Sequence, residues 1–118
     1  MKENTIISVG ENAVSSKDNM IILFDETATD DIKNVAVIHQ PINQEVTYQL
    51  SVGTTIKFGE QCYAIEEMGE RVNGSLTMMG HATLLFKERS DEDLLPNALY
   101  LSPYNLPEIK TGMSLIFD

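Results

Sequence analysis

The chain has 118 residues, with 42% apolar and 22% charged side chains. That balance belongs to a folded globular unit of ordinary single-domain size, not to a disordered segment. Eight Lys and Arg against eighteen Asp and Glu leave a net charge of −10, which repels phosphate backbones and anionic lipid and argues against nucleic-acid or membrane-surface binding.

In chain order, short apolar bursts alternate with Gly, Asn, Asp or Pro. Thr5 to Val9 is the first and Met20 to Phe24 the second. The second has the β-branched and aromatic residues that suit a buried strand. Val35 to His39 follows, between Asn34 and Pro41. From Val46 to Val52, Val46, Tyr48, Leu50 and Val52 alternate with Thr47, Gln49 and Ser51. That period of two predicts a half-buried strand. Thr54 to Phe58 lies between two glycines, and Cys62 to Met68 follows at hairpin distance. Ala82 to Phe86, Ala98 to Leu101 and Met113 to Phe117 complete nine strand candidates. An all-β barrel or sandwich is expected, forming one domain over residues 1–118.

Helical signals are short. Ser90 can cap Asp91 to Leu95, Asn73 can cap a turn carrying Leu76 and Met79, and Thr29 to Lys33 gives a weaker version. Gly53 precedes Ile56 and Phe58 at the same offsets as Gly112 precedes Leu115 and Phe117. Two glycine turns each feeding a strand account for this echo.

Cys62 is the single cysteine, so an internal disulfide is excluded and a reducing, cytoplasmic setting is expected. No apolar run approaches the ~20 residues of a membrane-spanning helix, and the region around Lys2 and Glu3 lacks a secretory pattern.

Candidate chemistry rests on two histidines. His39 ends an apolar strand before Pro41, and His81 opens one after Gly80. A strand end can hold an imidazole rigidly while leaving its tip open to solvent. Neutral imidazole is a competent nucleophile, since its ordinary pKa of ~6.5 leaves most of it unprotonated at neutral pH. From pattern alone each ring is better read as an ordinary surface or core histidine. A metal site from His39, His81 and Cys62 matches no zinc spacing. Cys62, beside Tyr63 in a strand, reads as a small core residue rather than a reactive thiol. Glu66, Glu67 and Glu70 read as a solvated edge rather than a hydrolytic pair. No phosphate-binding loop, dinucleotide fingerprint or Gly-x-Ser-x-Gly occurs.

Ile38-His39, Gly53, Gly59, Tyr63-Ala64-Ile65, Gly69, Asn73, Leu76, the run Gly80-His81-Ala82-Thr83-Leu84-Leu85-Phe86, and Gly112 with Leu115 and Phe117 form a recognisable series. The chain, from about Thr5 to Phe117, resembles the glucitol/sorbitol-specific IIA component of the bacterial sugar phosphotransferase system. The resemblance implies a small closed β-barrel of short antiparallel strands. It implies a phosphotransferase component with a phosphohistidine intermediate, accepting a phosphoryl group from HPr and passing it to the IIB component. The accepting histidine falls on His39, and His81 falls on a second histidine with a supporting role. No metal or cofactor is implied. Relatives often carry another histidine two residues after the acceptor, where this chain has Pro41. The acidic balance suits a rim that steers a basic partner into a brief interface. Open barrel edges would permit a homodimer. The rival expectation is a non-catalytic β-barrel that binds a ligand or regulates, with His39 turned away from any opening.

Overall fold

Nine short β-strands and two short helices make up the chain in a computed structural model that describes residues 2–15, 19–42, 47–88 and 95–117. The strands are β1 (Lys2–Val9), β2 (Val14–Ser15), β3 (Met20–Phe24), β4 (Val37–Pro41), β5 (Thr55–Phe58), β6 (Gln61–Met68), β7 (Ala82–Leu85), β8 (Ala98–Ser102) and β9 (Ser114–Phe117). The helices are α1 (Asp30–Val35) and α2 (Val72–Met79). Eight strands follow in the order β3-β4-β1-β9-β5-β6-β8-β7, and β7 pairs back onto β3. The result is a closed barrel, with β2 attached to the start of β3. Closure satisfies the backbone hydrogen bonds that an open sheet leaves at its edges, so the open edges expected for a homodimer are not a feature of these eight staves.

All eight staves coincide with predicted strands. Most ladders are antiparallel, but β3–β4 and β7–β8 are parallel. The first of these pairs needs a crossover, and α1 supplies it. Thr29 caps α1, accepting from the Ile32 N–H, and Asp30 and Asp31 occupy its first turn.

Period-two alternation sends one face of each strand inward. Ile6, Leu23, Ile56, Phe58, Leu84, Phe86, Leu99, Leu101 and Leu115 all have 0% exposure and fill the barrel. Each such burial contributes roughly 1.5–3 kcal/mol. β4 is buried on both faces: Val37 and His39 face the barrel, while Ile38 packs with Ala28 and Ala36 under α1. The glycine echo is structural. Gly53 and Gly112 have φ of +95° and +90°, and the strands they feed pair as Ile56↔Phe117 and Phe58↔Leu115.

Three expectations are corrected. Residues 47–50 alternate in burial as expected of a strand but join no ladder. The backbone N–H and C=O of Leu50 bond instead to the Asn73 carboxamide, at 2.6 and 3.0 Å, and the Tyr48 N–H donates to Thr77 Oγ1. Asn73 therefore does not cap α2. It lies inside the helix and serves as the missing strand partner, while Arg71 occupies the cap position without a side-chain bond. Cys62 is exposed, because the inward face of β6 is taken by Tyr63 and Ile65. The turn expected at Asp91 to Leu95 lies largely outside the described residues, as does Val46. Among the described residues no helix is long and apolar enough to cross a membrane.

Candidate functional site

One end of the barrel interior is polar. On β1, Asn4 and Ile6 share the inward face, and Ile6 pairs with His39 of β4. Asn4 and His39 are therefore inward-facing neighbours, each with 0% exposure. His39 Nδ1 lies 2.9 Å from Asn4 Oδ1. The Tyr48 hydroxyl donates to the same oxygen at 3.2 Å. Phe117 supports both rings, with its centroid 6.2 Å from His39 and 5.2 Å from Tyr48.

The other edge of the imidazole meets the end of α2. Gly80 caps that helix in the left-handed conformation, φ +62°. Its N–H is turned back to Leu76, and its carbonyl oxygen lies 2.7 Å from His39 Nε2. A side chain at this position would collide with Asp25, because a Cβ would fall 2.8 Å from Asp25 Cβ. The Asp25 N–H donates to Met79, tying the segment after β3 to the same helix end.

The ring expected to face outward is thus sealed, with both nitrogens engaged. It is nevertheless at the surface's second layer. His39, Asp25 and Pro41 line two adjacent hollows. One, of about 310 Å³, adds Glu26, Thr27 and Gln40. The other, of about 90 Å³, adds Tyr48, Leu76, Thr77 and Gly80. Pro41, directly after the site strand's Gln40, is part of this wall.

Burial holds the His39 pKa below its ordinary value, while the Gly80 carbonyl and then the Asp25 carboxylate act in the opposite direction. The neutral ring is favoured at neutral pH. Burial raises the Tyr48 pKa and keeps its hydroxyl protonated as a donor.

His81 differs. Its Nδ1–H donates to the Leu23 carbonyl at 3.1 Å, and its half-buried ring packs on Phe24 at 4.9 Å. Its Nε2 has no hydrogen-bond partner among the described residues. The His39 ring meets the Gly80 carbonyl and the His81 ring the Leu23 carbonyl, and no hydrogen bond joins the two imidazoles among the described residues. Cys62 is on the outer face of β6, and Glu66 accepts from the Tyr104 hydroxyl on the surface.

The family model described as PTS system glucitol/sorbitol-specific IIA component matches residues 1–116. The chain belongs to that family. It is also similar to the crystal structure of a PTS system IIA component from Enterococcus faecalis V583, with 33% identity, a TM-score of 0.91 and 98% of each chain covered. No curated protein matches it. The closed barrel is that of a PTS IIA component, and membership implies a phosphocarrier role in sugar uptake.

Sequence reasoning missed Asn4, Tyr48 and Asp25. Asn4 stood just outside the first apolar burst, although period two places it on the face of Ile6. Tyr48 was on the correct inward face, and a buried tyrosine needs a partner for its hydroxyl. Nothing local to Asp25 indicates that it covers a ring fourteen positions later in the chain.

Proposed function

We propose that this IIA component carries the phosphoryl group on His39, taking it from HPr and giving it to the IIB component of a glucitol/sorbitol permease in the cytoplasm. The observation that carries the reading is the position of His39. The motif residue matching the family's acceptor lines a hollow, with its ring held by Asn4, which the Tyr48 hydroxyl holds in turn.

Transfer between two proteins needs position and charge control more than a deep pocket. The barrel wall supplies the first. Asp25 supplies part of the second: its carboxylate favours a cationic ring, yet repels phosphoryl oxygens, so the phosphorylated state is kept ready to transfer. The sealed ring requires the Gly80 carbonyl to withdraw from Nε2 when a donor docks. Beside the hollows, Met78 is 80% exposed and Thr77 is exposed next to it, giving a docking protein an apolar contact next to an acidic rim. His81 has a supporting role beside the site, its ring fixed by the Nδ1–H bond to the Leu23 carbonyl.

The full burial of His39 favours a second reading, in which the histidine is structural and the barrel is a binding or regulatory module. Incubation with phosphoenolpyruvate, enzyme I and HPr separates the two. The carrier takes up one acid-labile phosphate, and His39→Ala abolishes it while the fold is retained by circular dichroism. An unlabelled wild-type protein refutes the carrier and leaves the binding module.

A further inference from the structure

Both nitrogens of the His39 ring face oxygen acceptors, Asn4 Oδ1 on one side and the Gly80 carbonyl on the other. Only an imidazolium can donate to both. The ring is wholly buried, and burial opposes that charge. The partners differ in one respect. A backbone carbonyl can only accept, whereas a carboxamide can accept through oxygen or, after a half-turn, donate through nitrogen. The Asn4 amide nitrogen is itself buried with no hydrogen-bond partner. A carboxamide with one end unsatisfied and the other against an imidazole is a two-way partner for that ring.

We propose that Asn4, backed by Tyr48, is a positioning residue that sets the protonation pattern of His39 and thereby makes Nε2 the phosphoryl-accepting nitrogen. The proposal rests on His39 being the carrier residue. In the closed state, the neutral ring bears its proton on Nε2 and donates to the Gly80 carbonyl, while the Asn4 carboxamide makes its half-turn so that Nδ1, and with it the Tyr48 hydroxyl oxygen, accepts from the amide nitrogen. In the reactive state, the proton is on Nδ1 and is donated to Asn4 Oδ1, which the Tyr48 hydroxyl also holds. The Nε2 lone pair is then free once the Gly80 carbonyl withdraws.

The transfer balances without a further proton. The Nε2 lone pair forms the new bond to phosphorus as the bond between phosphorus and the donor's phosphoimidazolium nitrogen breaks. That bond's electron pair returns to the donor ring, which becomes neutral. His39 becomes a phosphoimidazolium that keeps its Nδ1 proton on Asn4 Oδ1. Transfer onward to an acceptor nucleophile reverses these changes at His39. Orientation by a side chain behind the ring is the same service that an aspartate performs for a catalytic histidine, here supplied by a neutral group.

The test uses 15N-histidine-labelled protein and phospho-HPr. In the wild type, phosphorylated His39 is expected to show phosphorus on Nε2 and a retained Nδ1 proton. Asn4→Leu removes the acceptor at similar volume and is expected to slow phosphoryl acceptance roughly 10- to 100-fold, the loss of one hydrogen bond to a charged ring, with the resting ring staying in the Nε2–H form. Asn4→Asp restores an acceptor and is expected to recover most of the rate, which a merely structural role for Asn4 would not produce. Phosphorus on Nδ1 of wild-type His39 overturns the proposal, a reading that does not depend on whether the variants fold. So does a folded Asn4→Leu protein that accepts phosphate at the wild-type rate. Absence of any phosphate on wild-type His39 instead refutes the carrier assignment beneath it.

Discussion

Gly80 and Gly59 have nearly the same backbone angle, φ +62° and +63°, but different surroundings. A Cβ on Gly80 would lie 2.8 Å from Asp25 Cβ, 3.0 Å from the Asp25 nitrogen and 3.2 Å from His39 Nε2. A Cβ on Gly59 would meet only the Met113 side chain, at 3.6 Å or more. Alanine in the left-handed region costs about 1–2 kcal/mol at either site. Crowding against packed atoms adds about 1–3 kcal/mol, and only at Gly80, because the closest atoms there belong to the backbone and Cβ of Asp25. Gly80→Ala is therefore expected to lose about 2–5 kcal/mol, and Gly59→Ala about 1–2 kcal/mol. Urea unfolding at 25 °C reads both, with unchanged slopes showing that the unfolded states are comparable. The difference between the variants isolates the contact of the α2 end with Asp25 and His39. Equal losses would refute the tight approach of Gly80 to the imidazole, and with it the sealed site.

Three further outcomes follow from the same geometry. Because the folded pKa of His39 lies below its unfolded value near ~6.5, the unfolded chain binds more protons in that range, so stability is full above ~6.5 and falls as pH drops toward the folded pKa. His39→Gln should flatten this part of a pH series of urea midpoints, and an unchanged series would contradict the buried neutral ring. Asp25→Asn removes a charge that raises the His39 pKa, so histidine NMR titration should move lower still, and an upward movement would be inconsistent with the placement of the carboxylate. Asn73→Ala leaves the Leu50 backbone without both of its side-chain partners and should cost about 1–3 kcal/mol, with amide exchange accelerating first near residues 47–50. Unaltered exchange there would mean that the helix is not the partner of this segment.

The barrel was legible because each stave carries its own signal. Apolar alternation and glycine turns fixed all eight, including the two glycine-fed strands that pair with one another. β2 escaped because Val14 and Ser15 are too few to show a period. The segment around Tyr48 showed strand alternation without strand pairing, since alternation reports only which side faces the core. Its hydrogen bonds come from Asn73, and no local pattern reveals that. Cys62 was misread by residue type where the alternation of Tyr63 and Ile65 already placed it outside.

The site was legible in its motif and not in its closure. The family series pointed to His39 and His81 from residues near each in sequence. What covers His39 comes from Gly80, forty-one residues later, and what orients it comes from Asn4, thirty-five residues earlier. A strand end looks open when read along the chain. Here the end of a helix folds over it.

Site mapping tests the central claim most directly: the protein is phosphorylated through HPr and fragmented under neutral, non-acidic conditions, and the phosphoryl group is located by mass spectrometry. A single phosphoryl group on His39, transferred onward when IIB is added, is the predicted result. A group found on His81, with His39→Ala still labelled, would contradict the account.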